Sequence, residues 1–170
     1  AQPWALTPEA YGKFLCGLFD VYYRDWVNGD YTSVRLFDDY IHMAMGMPAG
    51  ICATSGSCGA YFVVEGDGTV YPCDFYCLDE WEMGRIGEQS IPELANSEKA
   101  RLFLQQGERK PDACADCRWY SLCHGGCKRD WVENDGKLEN YSCLAFKEFF
   151  AYAESRILEI ARAEAEYYRR

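Results

Sequence analysis

Apolar side chains recur at helical spacing near both ends of the chain. Over residues 8–28 they would share one face of a helix, which carries Tyr11, Phe14, Leu15, Leu18, Tyr22 and Trp26. Thr7 can cap this helix, Pro8 suits its first position, and Gly29 can end it. A second apolar face, with charged residues lying off it, carries Phe146, Phe149, Phe150, Ala153, Ile157, Ile160 and Ala161. We predict two amphipathic helices, of which the C-terminal one docks on another part of the protein through its aromatic end.

The residues after the first helix predict a strand and a short helix. The segment TSVRLFDDY, residues 32–40, is typical of a strand, and DYIHMAMGM, residues 39–47, of a helix that ends at Pro48. A helix, a strand and a helix in this order are typical of an α/β unit, and so short a segment cannot close such a fold. We therefore predict that residues 1–50 are the end of a partial α/β barrel whose remainder lies outside this chain.

The middle of the chain predicts small structural elements. The segment AYFVVEGDGTVYPC predicts a β-hairpin, because two β-rich runs flank Gly66-Asp67-Gly68. In such a hairpin Cys58 and Cys73 flank the open end, where they could face one common ligand. Ser90 and Glu93 form a capping box that would open a helical stretch running towards Gly107. The predicted fold class is therefore α+β.

Composition and charge exclude several classes of function. The chain is 49% hydrophobic and 16% aromatic, so it can build a core without disulfide bonds. Its net charge of −10 argues against a nucleic-acid partner, because phosphate neutralisation needs an excess of Lys and Arg. No apolar run is long enough for a membrane span, and the start AQPWALTPEAYGKF lacks the features of a secretory signal. We expect a cytoplasmic protein without a membrane or nucleic-acid partner.

The ten cysteines are the main chemical feature of the sequence. In a reducing compartment they indicate metal or redox ligands in preference to a disulfide framework. Structural zinc sites usually pair two short knuckles, whereas only one Cys-x2-Cys pair, Cys114 and Cys117, occurs here. The other intervals are irregular and suit a larger cage of thiolates. Spacing alone favours iron–sulfur clusters over zinc and zinc over disulfides, and it leaves all three open.

The spacing and the residues between the cysteines resemble a known domain. The pattern Cys52-x5-Cys58-x14-Cys73, followed by Cys114-x2-Cys117-x5-Cys123-x3-Cys127 and then Cys143, resembles the SPASM domain, an auxiliary-cluster module of many radical SAM maturases. The segments GTVYPCDFY, CRWYSLCHGGCKRD and SVRLFDD are most similar to anaerobic sulfatase-maturating enzymes. The resemblance implies two [4Fe–4S] clusters. The first would be held by Cys52, Cys58, Cys73 and Cys127, and the second by Cys114, Cys117, Cys123 and Cys143.

The resemblance also implies a function and a domain organisation. These enzymes oxidise a Cys or Ser of a sulfatase polypeptide to Cα-formylglycine. The Cys-x3-Cys-x2-Cys motif that binds the SAM-cleaving cluster in this superfamily does not occur in this sequence. We therefore expect S-adenosylmethionine and a third [4Fe–4S] cluster only in a missing N-terminal barrel, and we expect this part alone to be inactive. The predicted divisions are a barrel remnant over 1–50, a SPASM domain over 51–143 and a C-terminal helix over 144–170.

Asp74 is the candidate catalytic residue. It follows Cys73 directly, and the resemblance of PCDFY implies that it is the general base for substrate oxidation. A carboxylate in a poorly solvated pocket beside an anionic cluster should have a raised pKa. From spacing alone, an aspartate that caps the turn after the hairpin explains the residue as well.

Several other residues have two interpretations. Gly125 and Gly126 would let the backbone pack tightly beside a cluster. His124 could donate to a cluster sulfur, but a partly exposed loop histidine is the simpler reading. Cys77 is expected to be a spare thiol and Cys16 a packing residue. The aromatic residues that could shield the clusters from water, or only fill space, are Tyr71, Tyr76, Trp119 and Tyr120.

Two other functions stay open at this point. The same domain could serve a maturase of a ribosomal peptide, although Asp74 favours sulfatase maturation. Alternatively, the cysteines could form a zinc-binding interaction module with no redox role. Zinc could also replace iron in protein purified in air, because thiolates bind both metals.

Overall fold

A long helix near each end of the chain frames a middle section of short helices, turns and hairpins. The computed structural model describes residues 5–168; residues 1–4 and 169–170, which belong to the predicted terminal segments, lie outside the described part. Its α-helices are α1 Pro8–Asn28, α2 Arg35–Ala44, α3 Cys52–Ser55, α4 Ile91–Ala95, α5 Glu98–Gly107, α6 Tyr120–Cys123 and α7 Cys143–Tyr168. Its strands are β1 Val63–Val64, β2 Thr69–Tyr71, β3 Gly84–Arg85, β4 Trp131–Asn134 and β5 Lys137–Asn140. Four single 3₁₀ turns cover Asp74–Tyr76, Asp79–Trp81, Asp112–Cys114 and Lys128–Asp130.

The main core lies where α1, α2 and α7 pack together. Aromatic rings fill its centre, with Phe37 stacked on Phe149 at a centroid distance of 5.4 Å and Phe19 edge-on to both rings. The predicted face of α7 is confirmed, since all of its residues are buried except the half-buried Phe146. On α1, Leu15 and Tyr22 are buried as expected. The stripe was wrong at Phe14, which is 57% exposed, and it omitted the buried Phe19.

The ends of α1 form as its sequence predicts. The Oγ1 of Thr7 accepts a hydrogen bond from the backbone N–H of Ala10 at 3.2 Å, and Pro8 is the first helical residue. At the other end Gly29 adopts a left-handed conformation with φ 79°, and its N–H binds the last carbonyls of the helix.

The strand predicted over residues 32–40 is wrong, because α2 begins at Arg35. Val34 is extended and caps the helix, so only the first few residues of the segment are non-helical. The apolar residues at 36, 37, 40 and 41 recur at helical spacing, and Phe37, Tyr40 and Ile41 are buried in the main core. Packing of this helical face on α7 therefore favours a helix over the strand that we predicted for residues 35–40. Residues 5–50 contain two helices and no strand, so they do not by themselves form part of a barrel sheet. The assignment of residues 1–50 to the end of a partial barrel therefore stays a prediction.

A three-stranded antiparallel sheet follows in the order β1-β2-β3. The hairpin around Gly66-Asp67-Gly68 joins β1 to β2, with Val64 opposite Val70. The Asp67 carboxylate accepts from the Thr69 N–H at 3.0 Å and thereby orders the turn. Strand β3, which was not predicted, pairs with β2. A second small core consists of Val70, Met83, Leu94 and Ala100.

The capping box at Ser90 forms, with reciprocal hydrogen bonds to Glu93. It opens two helices in place of the single stretch that we predicted. Helix α4 ends at Ala95, and Ser97 caps α5 through its own side chain. A second hairpin, β4–β5, turns at Asp135-Gly136 and was not predicted. In the described part of the chain, no helix is both long and apolar enough to cross a membrane.

Candidate metal centres

Four cysteines from four separate segments line one cavity, here called the first cavity. Cys52 is the first residue of α3, and Cys58 lies in the loop that follows this helix. Cys73 follows β2 after one intervening residue, Pro72, and Cys127 directly precedes the last 3₁₀ turn. These are the residues assigned to the first cluster from the resemblance. Their role as ligands stays a prediction.

The other four cysteines of the pattern line a second cavity. Cys114 ends the third 3₁₀ turn, Cys117 follows in the loop, Cys123 ends α6, and Cys143 begins α7. The remaining walls of this cavity are largely apolar, with contributions from Trp119, Tyr120, Leu144, Phe146 and Phe150. Along the sequence, Cys127 of the first cavity therefore lies between Cys123 and Cys143, which line the second cavity.

The thiols within each set interact electrostatically. Burial raises the pKa of Cys58, the nearby charge of Lys128 opposes this rise, and the neighbouring Cys127, Cys52 and Cys73 add to it. Burial raises the pKa of Cys123 to about 11, with contributions of the same sign from Cys114, Cys143 and Cys117. Thiols with such pKa values stay protonated unless a cation stabilises the thiolates. The arrangement is therefore suited to a positively charged metal centre that displaces protons when it binds.

The geometry of the donors bears on the choice between one ion and a cluster. No cysteine forms a disulfide within residues 5–168, which include all ten. In the same residues no three His, Cys, Asp or Glu side chains are close enough together to hold a single metal ion. A zinc ion needs its sulfur ligands at about 2.3 Å. A [4Fe–4S] cluster is also held by four thiolates, which it spreads over a larger cage.

Glycines bring the backbone close to both cavities. Gly125 lines the second cavity and Gly126 the first, and both have positive φ angles, of 89° and 69°. A Cβ on Gly125 would lie 3.3 Å from the Cys114 Sγ, and one on Gly126 would lie 2.6 Å from the Asn140 Nδ2. Sequence reasoning missed Gly107, where a Cβ would lie 2.6 Å from the Cys58 Sγ. Glycine is needed at position 107 because of its contact with Cys58, a residue distant in the sequence.

The surroundings of Asp74 differ from those that we predicted. Its side chain is exposed and does not line the first cavity. Hydrogen bonds from the Cys73 thiol and from the Tyr61 hydroxyl, at 3.4 Å and 3.1 Å, lower the pKa of this carboxyl. The rise that we predicted for its pKa was therefore wrong. That prediction required a poorly solvated side chain, whereas Asp74 is exposed in the described part of the chain. Asp74 nevertheless lies next to Cys73, because the two residues are consecutive in the sequence.

Of the other residues that we singled out from the sequence, some line a cavity and others do not. Tyr76 lines the first cavity, and Trp119 and Tyr120 line the second, whereas Tyr71 is buried in β2 and lines neither. His124 does not line these two cavities, and its Nδ1 lies 2.7 Å from the Thr54 carbonyl oxygen.

The two spare cysteines also lie outside both cavities. Cys77 is half-buried, and Cys16 packs at the edge of the main core. These positions agree with the simpler readings given above for His124, Cys77 and Cys16.

Lys128 is a residue of the first cavity that sequence reasoning missed. It follows Cys127, lines the cavity and is only 8% exposed. Burial lowers its pKa, whereas negative charge on Cys58, Cys73 and Cys127 acts to raise it. No sequence signal separates it from Arg129, its exposed neighbour in the same basic pair.

Comparisons with known proteins show what the chain is similar to. The family model SPASM, an iron–sulfur cluster-binding domain, matches residues 56–118, which include Cys58, Cys73, Cys114 and Cys117. A cysteine-type anaerobic sulfatase-maturating enzyme of Clostridium perfringens is 40% identical over 160 residues, or 93% of this chain and 43% of that protein. The chain therefore carries a SPASM iron–sulfur cluster-binding domain and is similar, over nearly its whole length, to anaerobic sulfatase-maturating enzymes.

Two further comparisons extend this result. A serine-type anaerobic sulfatase-maturating enzyme of Bacteroides thetaiotaomicron is 29% identical over 155 residues, or 88% of this chain and 36% of that protein. The solved structure of native anSMEcpe with bound AdoMet and Cp18Cys peptide superposes with a TM-score of 0.87 at 40% identity. The superposition covers 95% of this chain and 45% of that one. The chain thus spans less than half the length of these relatives.

Proposed function

We propose that this chain forms the auxiliary cluster-binding part of a radical SAM enzyme that oxidises a Cys or Ser of a sulfatase polypeptide to Cα-formylglycine. The observation that carries this proposal is the convergence of eight thiols, four on each of two cavities, from segments far apart in sequence. The relatives include both cysteine-type and serine-type sulfatase-maturating enzymes. The proposed cluster-binding region is 51–143, after a barrel end over 1–50 and before a C-terminal helix over 144–170.

The proposed ligands are Cys52, Cys58, Cys73 and Cys127 for one [4Fe–4S] cluster, and Cys114, Cys117, Cys123 and Cys143 for the other. Full cysteine ligation leaves no open iron site, so the clusters would supply electron acceptors and would not bind substrate. The chain's own residues hold each set of thiolates in place, and the aromatic walls limit the access of water. The proposal places this reaction in the cytoplasm, with AdoMet and a third cluster bound by a barrel outside the present chain.

Asp74 is the proposed general base. Its carboxylate lies next to Cys73, and the Tyr61 hydroxyl donates to its Oδ1 at 3.1 Å, which orients the carboxylate. Because its side chain is exposed, Asp74 is ionised at neutral pH and is able to accept a proton. A bound peptide that excludes water would raise the basicity of this carboxylate at the time of reaction.

Metal analysis of anaerobically prepared protein tests the ligand assignment. We expect the complete protein to contain about twelve iron atoms, of which about eight belong to these two sites as two cubanes. Cys58→Ser and Cys117→Ser should each lower the iron content by about four. Cys77→Ser is the matched control, because this thiol lies outside both cavities. Zinc without sulfide in anaerobic protein would instead support an interaction module.

Substitution of the proposed base tests the reaction. Asp74→Asn in the complete enzyme should keep the iron content and lower formylglycine formation by about 10²-fold or more, as measured by mass spectrometry of a sulfatase-derived peptide. Asp79→Asn, an exposed carboxylate on the next 3₁₀ turn, is the matched control. Normal turnover in Asp74→Asn would remove this residue from the mechanism and would reopen the assignment to a maturase of a different peptide.

A further inference from the structure

The ammonium group of Lys128 is enclosed by aromatic rings beside the first cavity. Its Nζ lies 3.3 Å from the ring centroid of Phe103, 4.9 Å from that of Tyr76 and 5.1 Å from that of Trp81. The Nζ also donates to the carbonyl oxygen of Phe103 at 2.9 Å. Cation–π contacts of this kind are strongest when the cation is removed from water. Four contacts therefore fix the position of a single buried charge.

The rings of this cage also pack against one another. Tyr76, Trp81 and Phe103 meet edge to face at centroid distances of 5.2–5.9 Å. They come from two 3₁₀ turns and from α5, so segments well separated in the chain converge on one lysine side chain. A cage assembled in this way holds the ammonium rigidly and differs from the mobile surroundings of a surface lysine.

The charge of Lys128 lacks a carboxylate partner. Within residues 5–168 none of the ion pairs includes Lys128, although buried charges are normally paired. Cys58, Cys73 and Cys127 line the same cavity as Lys128, and as metal-bound thiolates they would surround it with negative charge. Its counter-charge would then be the ligands of the proposed metal site.

We propose that Lys128 is a positioning residue that offsets the negative charge of the ligands at the first cavity and thereby raises the reduction potential of the cluster bound there. This inference rests on the proposed function. Uptake of one electron adds one negative charge to the site, and a fixed cation nearby stabilises that added charge. Because Lys128 is desolvated and held by the cage, water screens its charge less than that of a surface lysine.

The second cavity has a weaker counterpart. Lys147 lines it, and its charge opposes the rise that burial causes in the pKa of Cys143 and Cys114. This lysine is half-exposed, and no aromatic cage surrounds it in the described residues. Its charge is therefore better screened by water. We expect Lys128 to change the potential of its cluster more than Lys147 changes that of the other.

Redox titration of the complete, anaerobically prepared enzyme, followed by EPR, tests the inference. At fixed ambient potential, Lys128→Gln should lower the ratio of reduced to oxidised form of one cluster about tenfold or more, equal to a shift of ~59 mV to a more negative value. Lys128→Arg keeps the charge and should stay near the wild-type potential. Lys147→Gln should shift a different cluster by less. Lys137→Gln removes an equal charge from an exposed position on β5 and should shift none.

The outcomes separate this inference from the proposed function. If iron analysis finds no clusters at the two cavities, the proposed function itself fails. If all clusters are present and Lys128→Gln leaves every potential unchanged, the role of Lys128 is refuted while the proposed function stands. Loss of iron in Lys128→Gln with full iron in Lys128→Arg supports the role of the charge. Loss of iron in both variants would show that the side chain only fills space, and would overturn the inference.

Discussion

At the scale of single residues, two adjacent glycines carry the loop that separates the two cavities. Gly125 lines one cavity and Gly126 the other, so a single peptide unit divides two proposed metal centres. The carbonyl oxygen of Gly125 accepts hydrogen bonds from Trp131 Nε1 and from Asn140 Nδ2, both at 2.8 Å. The loop is thus fixed by its backbone, and its lack of side chains is what lets both cavities approach it.

Gly126→Ala should weaken this loop. Alanine with a positive φ costs about 1–2 kcal/mol, and displacement of the buried Asn140 from the Gly125 carbonyl would add about 1–3 kcal/mol. The matched control is Gly136→Ala, because Gly136 has a similar φ of 76° but open space where the Cβ would lie. Iron content and thermal unfolding of the complete protein are the measurements. Equal losses in the two variants would show that conformation matters and that the contact with Asn140 does not.

Sequence reasoning found the residues whose chemistry is local and missed those that act at a distance. The cysteines and the two glycines stand together in short motifs, so their types and spacing could be interpreted directly. Lys128 and Gly107 look ordinary in the sequence, because their importance depends on rings and a thiol that only the fold brings to them. The solvation of Asp74 could not be predicted either, since exposure depends on neighbouring segments and not on the adjacent cysteine.

At the scale of secondary-structure elements, α1 and α7 pack along each other over a long contact. Gly12 lies in this contact, where a Cβ would lie 3.3 Å from the Ala145 Cα and closer still to the Glu148 carboxylate. Tyr152 and Arg156 of α7 both bind the Asp20 carboxylate at the far side of the contact. The close backbone approach at Gly12 and the hydrogen bonds to Asp20 together fix how α1 and α7 pack against each other.

The two glycines of α1 should respond differently to alanine. Gly17 has no neighbour within 4 Å of the Cβ position, so Gly17→Ala should stabilise the helix by about 0.5–1 kcal/mol. Gly12→Ala should lose that gain or become destabilising, because α7 must move away. Thermal unfolding of the two variants gives the comparison. Equal stabilisation by both substitutions would mean that the contact between the helices yields without cost.

The long helices were predictable because their apolar periodicity extends over many residues, and in α1 the residues at both ends agree with it. The strand prediction failed at α2 because the extended segment that precedes this helix is very short. Three residues with strand preference, Thr32-Ser33-Val34, precede a helical face whose value appears only when it packs on α7. The strands β3 and β4 to β5 are short and pair through contacts that local patterns do not encode.

At the scale of the whole molecule, α7 connects the second cavity to the main core. Its first residue, Cys143, lines the cavity, and its next turns place Phe149 and Phe150 in the core. Cys123 lies between the two, since it lines the second cavity and packs against the core. A metal centre at this cavity would therefore anchor the start of the helix.

Hydrogen exchange should detect this anchoring. Cys117→Ser removes a proposed ligand of the second site without changing the sequence of α7. Exchange of the amides of residues 146–150 should then rise about tenfold, the equivalent of ~1.4 kcal/mol. Cys52→Ser alters the first site and should leave these amides close to wild type. A similar rise in both variants would indicate general loosening of the protein and would contradict the anchoring role of the second site.

The order in which the chain visits the two cavities limits how this protein could have been rearranged during evolution. The proposed ligand sets overlap along the sequence, because Cys127 of the first cavity lies between Cys123 and Cys143 of the second. A recombination breakpoint anywhere from residue 52 to residue 143 would split at least one set between two parental genes. Exchange of genetic segments could therefore transfer both centres together or neither.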